Sequence, residues 1–190
     1  MYPSWVLKTS PPENHGRRVV LLSAVGWSLG RAQDDPASVR PKPGDLLIKV
    51  GDANRTPLTA NDIPVATGYT MAWAMDPADK TVRSGSRLNQ VLLVRFDPAS
   101  LAADTRARAA DGVVAYTSIC THNGCDIDNW LAREQQLFCS CHESIFDPRD
   151  GGRVVDGPAP RPLPALPLAI AGGTLVVSKP FTTPVGYERG

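Results

Sequence analysis

The sequence predicts an all-β, largely antiparallel domain, on three observations. The apolar runs are short, rich in Val, Leu and Ile, and bounded by Gly, Pro, Asp or Ser, which is how strands between tight turns read. Proline and glycine number 18 and 16 in 190 residues, together well above the usual share of about 12%, and that many turn formers favour short elements over long helices. Only Ala99 to Ala110 (ASLAADTRARAA) has helical composition, and its few apolar anchors predict a one- or two-turn surface helix. The length fits one domain of ordinary size. Apolar residues at 42% and charged residues at 21% exclude a disordered chain and a polytopic membrane protein. A formal charge of +1 from 20 basic and 19 acidic residues supplies no field for gripping a phosphate backbone, so no nucleic-acid partner is expected.

Taken in chain order, residues 1–32 stand apart. The first 18 residues are polar and end in Arg17-Arg18, the next twelve, Val19 to Gly30, carry no charge, and Arg31-Ala32-Gln33 follow; this is the order of an n-region, an h-region and a small-residue exit. As a helix the uncharged stretch rises only about 18 Å against a hydrocarbon core of roughly 30 Å, which disfavours a spanning helix. The arginine pair resembles a twin-arginine export signal. A short buried helix, and an anchor that associates with a membrane through residues 19–30, remain the other readings. Residues 33–44, with Asp34-Asp35-Pro36 and Pro41-Lys42-Pro43-Gly44, read as an extended linker, so the folded domain is expected over 45–190.

Within that domain, Asp45 to Gly51, Gln90 to Phe96, Val113 to Ile119 and Thr174 to Ser178 are the clear strands, and Gln136 to Cys139, Arg153 to Val155 and Leu166 to Ile170 are weaker ones. Residues 52–89 hold Tyr69, Trp73 and several turn signals without a long periodic run; they read as a large loop or a minor sheet. Trp130 reads as core or rim packing.

All four cysteines fall within 22 residues, in CTHNGC (Cys120 to Cys125) and CSCH (Cys139 to His142), with two of the three histidines beside them. The halves read Cys-x-His and Cys-x-x-His, each with one further cysteine. Two sulfur and two nitrogen donors suit either zinc or an iron–sulfur cluster. Structural zinc usually takes ligands two to four residues apart on one knuckle, whereas Cys-x-His is better matched to two different metal atoms, each taking one ligand from each loop. Two cysteines on one iron and two histidines on the other is the ligation of a Rieske centre. A zinc-stabilised binding module is the alternative from another class.

CTHNGC followed by CSCHESIFD resembles the two cluster-binding loops of Rieske 2Fe-2S proteins, the likeness running from Val113 to Leu163. The resemblance implies a Rieske-type antiparallel β sandwich or barrel with a small cluster-binding subdomain at 118–163. It implies a 2Fe-2S cluster with Cys120 and Cys139 on the inner iron and His122 and His142 on the outer. It further implies that Cys125 and Cys141 pair as the disulfide that joins the loops in the cytochrome bc type, and that Gly157-Pro158-Ala159-Pro160 form the third loop covering the cluster. Ser144 matches the family serine whose hydroxyl bonds a bridging sulfide; Phe146 stands where high-potential members carry a tyrosine that bonds a cysteine sulfur. With that donor missing, and with Glu143 adding negative charge beside His142, a potential below the top of the Rieske range of about −150 to +300 mV is expected. Gly124 and Gly157 are expected to relieve backbone strain around the loops. Ferric iron withdraws charge from a bound imidazole and loosens its proton, so electron and proton uptake are expected to be coupled.

These features predict an electron-transfer subunit with no substrate pocket and no catalytic residue of its own. One reading is a periplasmic oxidoreductase similar to arsenite oxidase, in which this chain serves the catalytic subunit; it is favoured by Phe146 and by the run VVAYTSICTH. The other is the Rieske subunit of a quinol:cytochrome c reductase beside a cytochrome b subunit, favoured by the extra cysteines and the GPAP loop. Quinol or cytochrome c is the expected redox partner. A self-contained Rieske oxygenase is set aside, because its mononuclear iron needs two further histidines and only His15 is left.

Overall fold

The computed structural model of the protein describes residues 35–187. The expected export signal or anchor at 1–32, and the first residues of the expected linker, lie outside the described residues. In chain order the strands are β1 (Leu46–Lys49), β2 (Thr70–Met75), β3 (Val91–Arg95), β4 (Val113–Thr117), β5 (Asn129–Leu131), β6 (Gln136–Cys139), β7 (Ser144–Asp147), β8 (Arg153–Asp156), β9 (Leu168–Ala171) and β10 (Thr174–Val177). They form a six-stranded sheet in the order β4-β3-β2-β1-β10-β9 and a four-stranded sheet in the order β5-β6-β7-β8. Every pairing between these strands is antiparallel.

The large sheet curls until its edges meet. Leu166 N donates to Ala115 O at 2.9 Å and Thr117 N to Pro164 O at 3.0 Å, so the stretch leading into edge strand β9 pairs along β4, the opposite edge. Closing a sheet on itself removes the exposed edges that otherwise template aggregation. β3 and β4 are apolar on both faces, and their alternation supplies two cores. Val91, Leu93, Val113 and Ala115 join the core inside the curl with Leu47, Ala72 and Leu175. Leu92, Val94, Val114 and Tyr116 face the other way, into a second core shared with Ile127, Leu137 and Phe146 of the small sheet and its lead-in. A period of two is what lets one strand serve both layers.

The seven expected strands coincide with β1, β3, β4, β6, β8, β9 and β10 to within a few residues at each end. Three strands lacked a sequence signal. Residues 52–89 are not simply a large loop or a minor sheet: β2 lies at the centre of the main sheet, with Leu46 opposite Met75 and Thr70 opposite Leu93. Its sequence, TMAWAM, has two alanines of low β propensity and no polar alternation, so its place is set by its partners. β5 and β7 are three and four residues long, too short to show a period. The expected helix reduces to one turn, α1 (Ala103–Arg106), after a 3-10 turn at Pro98–Ser100 capped by Asp97.

Residues 35–44, expected as a linker, are docked. Asn89, fully buried, donates from Nδ2 to Val39 O at 2.9 Å, and Gly85 N donates to Ala37 O at 2.9 Å. Arg83 completes this seam. Its Nε and Nη2 grip the two Asp45 carboxylate oxygens at 3.0 and 3.1 Å, Nη2 also reaches Asp76 at 2.9 Å, and Nη1 donates to Pro36 O at 3.2 Å. The Arg83 and Asp45 side chains are each only 3% exposed, so neither charge has water to fall back on. The folded unit therefore includes Asp35 to Gly44. Arg83→Ala leaves Asp45 buried and unpaired and should cost about 3–5 kcal/mol of unfolding free energy in a denaturant titration. The double change Arg83→Met with Asp45→Leu should recover much of that loss.

Candidate metal centre

β4 and the hairpin of β6 and β7 present the two Cys/His segments side by side. The first loop leaves β4 and folds back on itself: Cys120 N donates to Cys125 O at 2.8 Å, Gly124 N to Cys120 O at 3.1 Å and Ile127 N to Ser118 O at 2.8 Å. Gly124 turns the tip at φ +75°. The second loop is the β6–β7 turn itself. Cys139 and Ser144 are the last cross-strand pair, and Glu143 N closes the turn on Cys139 O at 3.0 Å. Cys139 is thereby fixed at a strand end and His142 is carried in the turn.

The burial of the four Cys/His positions is graded. Cys120 and Cys139 are free thiols, 1% exposed, and belong to the core beneath the small sheet. His122 is half-buried and His142 exposed, with ring centroids 4.6 Å apart and the rings edge-on at 88°. Cys125 and Cys141 form a disulfide between the loops, with Cα atoms 6.5 Å apart. Its two sulfurs and that of Cys139 lie within 4.8 Å of one another, so the disulfide abuts the buried thiol. Burial pushes the Cys139 thiol up to about 11; the backbone N–H of Cys141 opposes this and the Cys120 sulfur adds to it. Such a thiol stays protonated at neutral pH unless a cation displaces the proton.

Three buried polar atoms around the loops, Ser118 Oγ, His122 Nδ1 and Ser144 Oγ, have no hydrogen-bond partner among the described residues. Each such orphan costs roughly 1–3 kcal/mol. Soft thiols inside, imidazoles outside and unsatisfied polar atoms around the loops fit an occupant that carries metal ions and can accept hydrogen bonds.

In the segment Gly157-Pro158-Ala159-Pro160, Ala159 is buried in the second core, while Pro158 and Pro160 are exposed. Gly157, at φ +87°, backs directly on the second loop. A Cβ there would sit 2.6 Å from Glu143 O and from Ser144 Cα. Glu143 is exposed. Phe146 is fully buried opposite Leu137, and its ring offers no hydrogen-bond donor there. Trp130 packs against Phe96, centroids 6.5 Å apart, in the manner of a core residue.

Further side chains hold the loops, and of these Arg87, Asp128 and Arg161 lie outside the cysteine motifs. Arg87, from the stretch before β3, donates to Gly124 O at 2.9 Å and to Asp126 at 2.6 Å. Asp128 accepts from Ser140 N at 3.0 Å and from the Ser140 hydroxyl; the Ser140 hydroxyl and N–H hold its carboxyl below the usual carboxylate range. Thr121 Oγ donates to Arg161 O at 2.7 Å, joining the first loop to the end of the third.

Residues 78–167 match the family model of the Rieske [2Fe-2S] domain. The chain is similar to the cytochrome bc1 complex Rieske iron-sulfur subunit of Streptomyces lividans, 31% identical over 153 residues that cover 77% of this chain and 89% of that one. It is similar to a protein of Haloferax mediterranei described as a respiratory nitrate reductase subunit Rieske, 37% identical over 144 residues, 74% of this chain and 60% of the relative. Among solved structures, the cyanobacterial plasma membrane Rieske protein of Synechocystis PCC 6803 aligns with 26% identity and a TM-score of 0.40 over 63% of this chain and 93% of that one.

Gly157→Ala forces a side chain into the Glu143–Ser144 backbone at a left-handed φ. A cost of roughly 1–3 kcal/mol is expected in thermal unfolding, together with a fall in bound metal per chain measured on the same preparation.

Proposed function

The chain belongs to the Rieske [2Fe-2S] domain family, and on that footing we propose that it is the iron–sulfur electron-transfer subunit of an oxidoreductase complex, with Cys120, His122, Cys139 and His142 as the cluster ligands. The observation that carries the assignment is the pair of imidazoles in edge contact, one on each loop, outside two buried free cysteines. When bound, a Rieske cluster supplies reversible one-electron oxidation and reduction within about −150 to +300 mV.

The residues of this chain have separable parts in that task. Cys120 and Cys139 hold the inner iron from within the core, where water is excluded. His122 and His142 hold the outer iron, and exposed His142 offers a partner the edge of its ring. The Cys125–Cys141 disulfide keeps the two loops at fixed separation. Ser144 Oγ, buried and without a partner among the described residues, would donate toward a sulfide of the bound cluster, which would stabilise the more negative reduced state. Phe146 withholds a second such donor, and Glu143 adds an anionic neighbour. The potential is therefore proposed to lie below the top of the family range.

For the complex served, the Streptomyces relative favours a quinol:cytochrome c reductase, with a cytochrome b subunit as neighbour and quinol and cytochrome c as redox partners. Phe146 and the run Val113 to His122 favour an oxidoreductase similar to arsenite oxidase, with a catalytic subunit as neighbour. The disulfide supports a place outside the reducing cytosol, and with Arg17-Arg18 it supports export to the periplasm. No helix among the described residues is long and apolar enough to cross a membrane.

The test is low-temperature EPR of the dithionite-reduced full chain, with iron and zinc determined on the same sample. A rhombic signal of mixed His/Cys ligation with about two irons per chain is expected; a silent spectrum with one zinc per chain overturns the reading. Copurification with a cytochrome b or with another catalytic subunit separates the two complexes. In protein-film voltammetry, Ser144→Ala should lower the midpoint and Phe146→Tyr raise it, each by about 40 mV, the one-electron equivalent of a hydrogen bond worth roughly 1 kcal/mol.

A further inference from the structure

The first loop is held from outside by a part of the chain that no motif marks. After β10 the chain is held at Ser178, whose N–H donates to Pro167 O at 2.8 Å, and again at Thr182, whose N–H donates to Ala165 O at 2.9 Å and whose hydroxyl accepts from Ala165 N at 3.0 Å. Beyond this anchor, Nη2 of Arg161 donates to Pro184 O at 2.9 Å and to Gly186 O at 2.6 Å. One guanidinium at the end of the third loop thus gathers two carbonyls of the C-terminal tail. The backbone of the same residue accepts the Thr121 hydroxyl, directly between Cys120 and His122. Gly186, buried and at φ +103°, then turns the chain so that the Tyr187 ring lies on Gly124. The ring's Cδ1 is 2.9 Å from where a Cβ of Gly124 would stand, so the bare glycine face and the ring are in direct contact.

We infer that Tyr187 and Arg161 are positioning residues for the His122-bearing loop: the tail is a strap that presses the Thr121–Gly124 turn against the site and slows its opening. The inference rests on the Rieske reading of the site. On the inner side this turn is restrained by its hydrogen bonds to Cys120 and Cys125, and at its far end by Arg87. Tyr187 meets the turn at the bare face of Gly124. The strap meets the ligand loop at Gly124 and Thr121, neither of them a proposed ligand, so its removal should change how long iron is retained without changing which atoms bind it. Arg161 acts on the tail through its side chain and on Thr121 through its backbone. Arg161→Ala therefore releases the strap and spares the link between the loops.

The test uses the full chain loaded with its cluster. Tyr187→Ala and Arg161→Ala should each speed release of iron to a chelator, followed by bleaching of the visible spectrum, by about tenfold, the low end for residues that orient metal ligands. Because both act through one strap, the double variant should release iron no faster than either single one. The thermal midpoint of the cluster-free chain should be the same in all of them. Unchanged release in both single variants, additive effects in the double, or a matching loss of stability in the cluster-free chain overturns the strap. An unaltered chain that shows no 2Fe-2S signal overturns the family reading instead, so the two failures are told apart.

Discussion

The burial of two thiols in a hydrophobic core is the constraint on which the rest of the site depends. Cys120 and Cys139 sit among Leu92, Ile127, Leu137 and Phe146, in a core whose other wall is the outward face of β3 and β4. Inside it a thiol resists ionisation, as the upward displacement at Cys139 expresses, and a lone thiolate would be costly. A cationic occupant resolves that cost, and the two imidazoles then have to approach from the opposite, wetter side. The order of burial, from cysteine through half-buried His122 to exposed His142, is thus a polarity gradient. One end is insulated by the fold and the other is open to contact.

The clustering of cysteines and histidines was legible in the sequence because candidate ligands declare themselves by residue type and spacing. Four cysteines and two histidines in two short segments admit few arrangements, and Gly157 could be noticed because a glycine next to prolines is turn chemistry. Residues that support the loops carry no such mark. Asp128, Arg87 and Arg161 are ordinary charged side chains, and Tyr187 is one aromatic near the end of the chain. Each matters only through a neighbour brought to it from tens of residues away in sequence.

The same distinction runs through the fold. β3 and β4 were readable because a continuous run of Val and Leu suits a strand buried on both faces. β2 was hidden because Thr-Met-Ala-Trp-Ala-Met has no such run, and its place between β1 and β3 comes from pairing rather than from its own preference. The stretch from Asp35 to Gly44 looked like a linker by composition. It is held by Arg83 and Asn89, two buried polar side chains whose partners could not be inferred from either segment alone.

Residues 161 to 168 also close the curled sheet, through the hydrogen bonds of Pro164 and Leu166 with β4, while their first residue carries the link to Thr121. The barrel seam and the rim of the site are therefore one piece of backbone. A fluctuation that peels this piece away bares an unpaired strand edge in the same event that uncovers the cysteines. Loss of cofactor and the onset of self-association then become two readouts of a single cooperative opening.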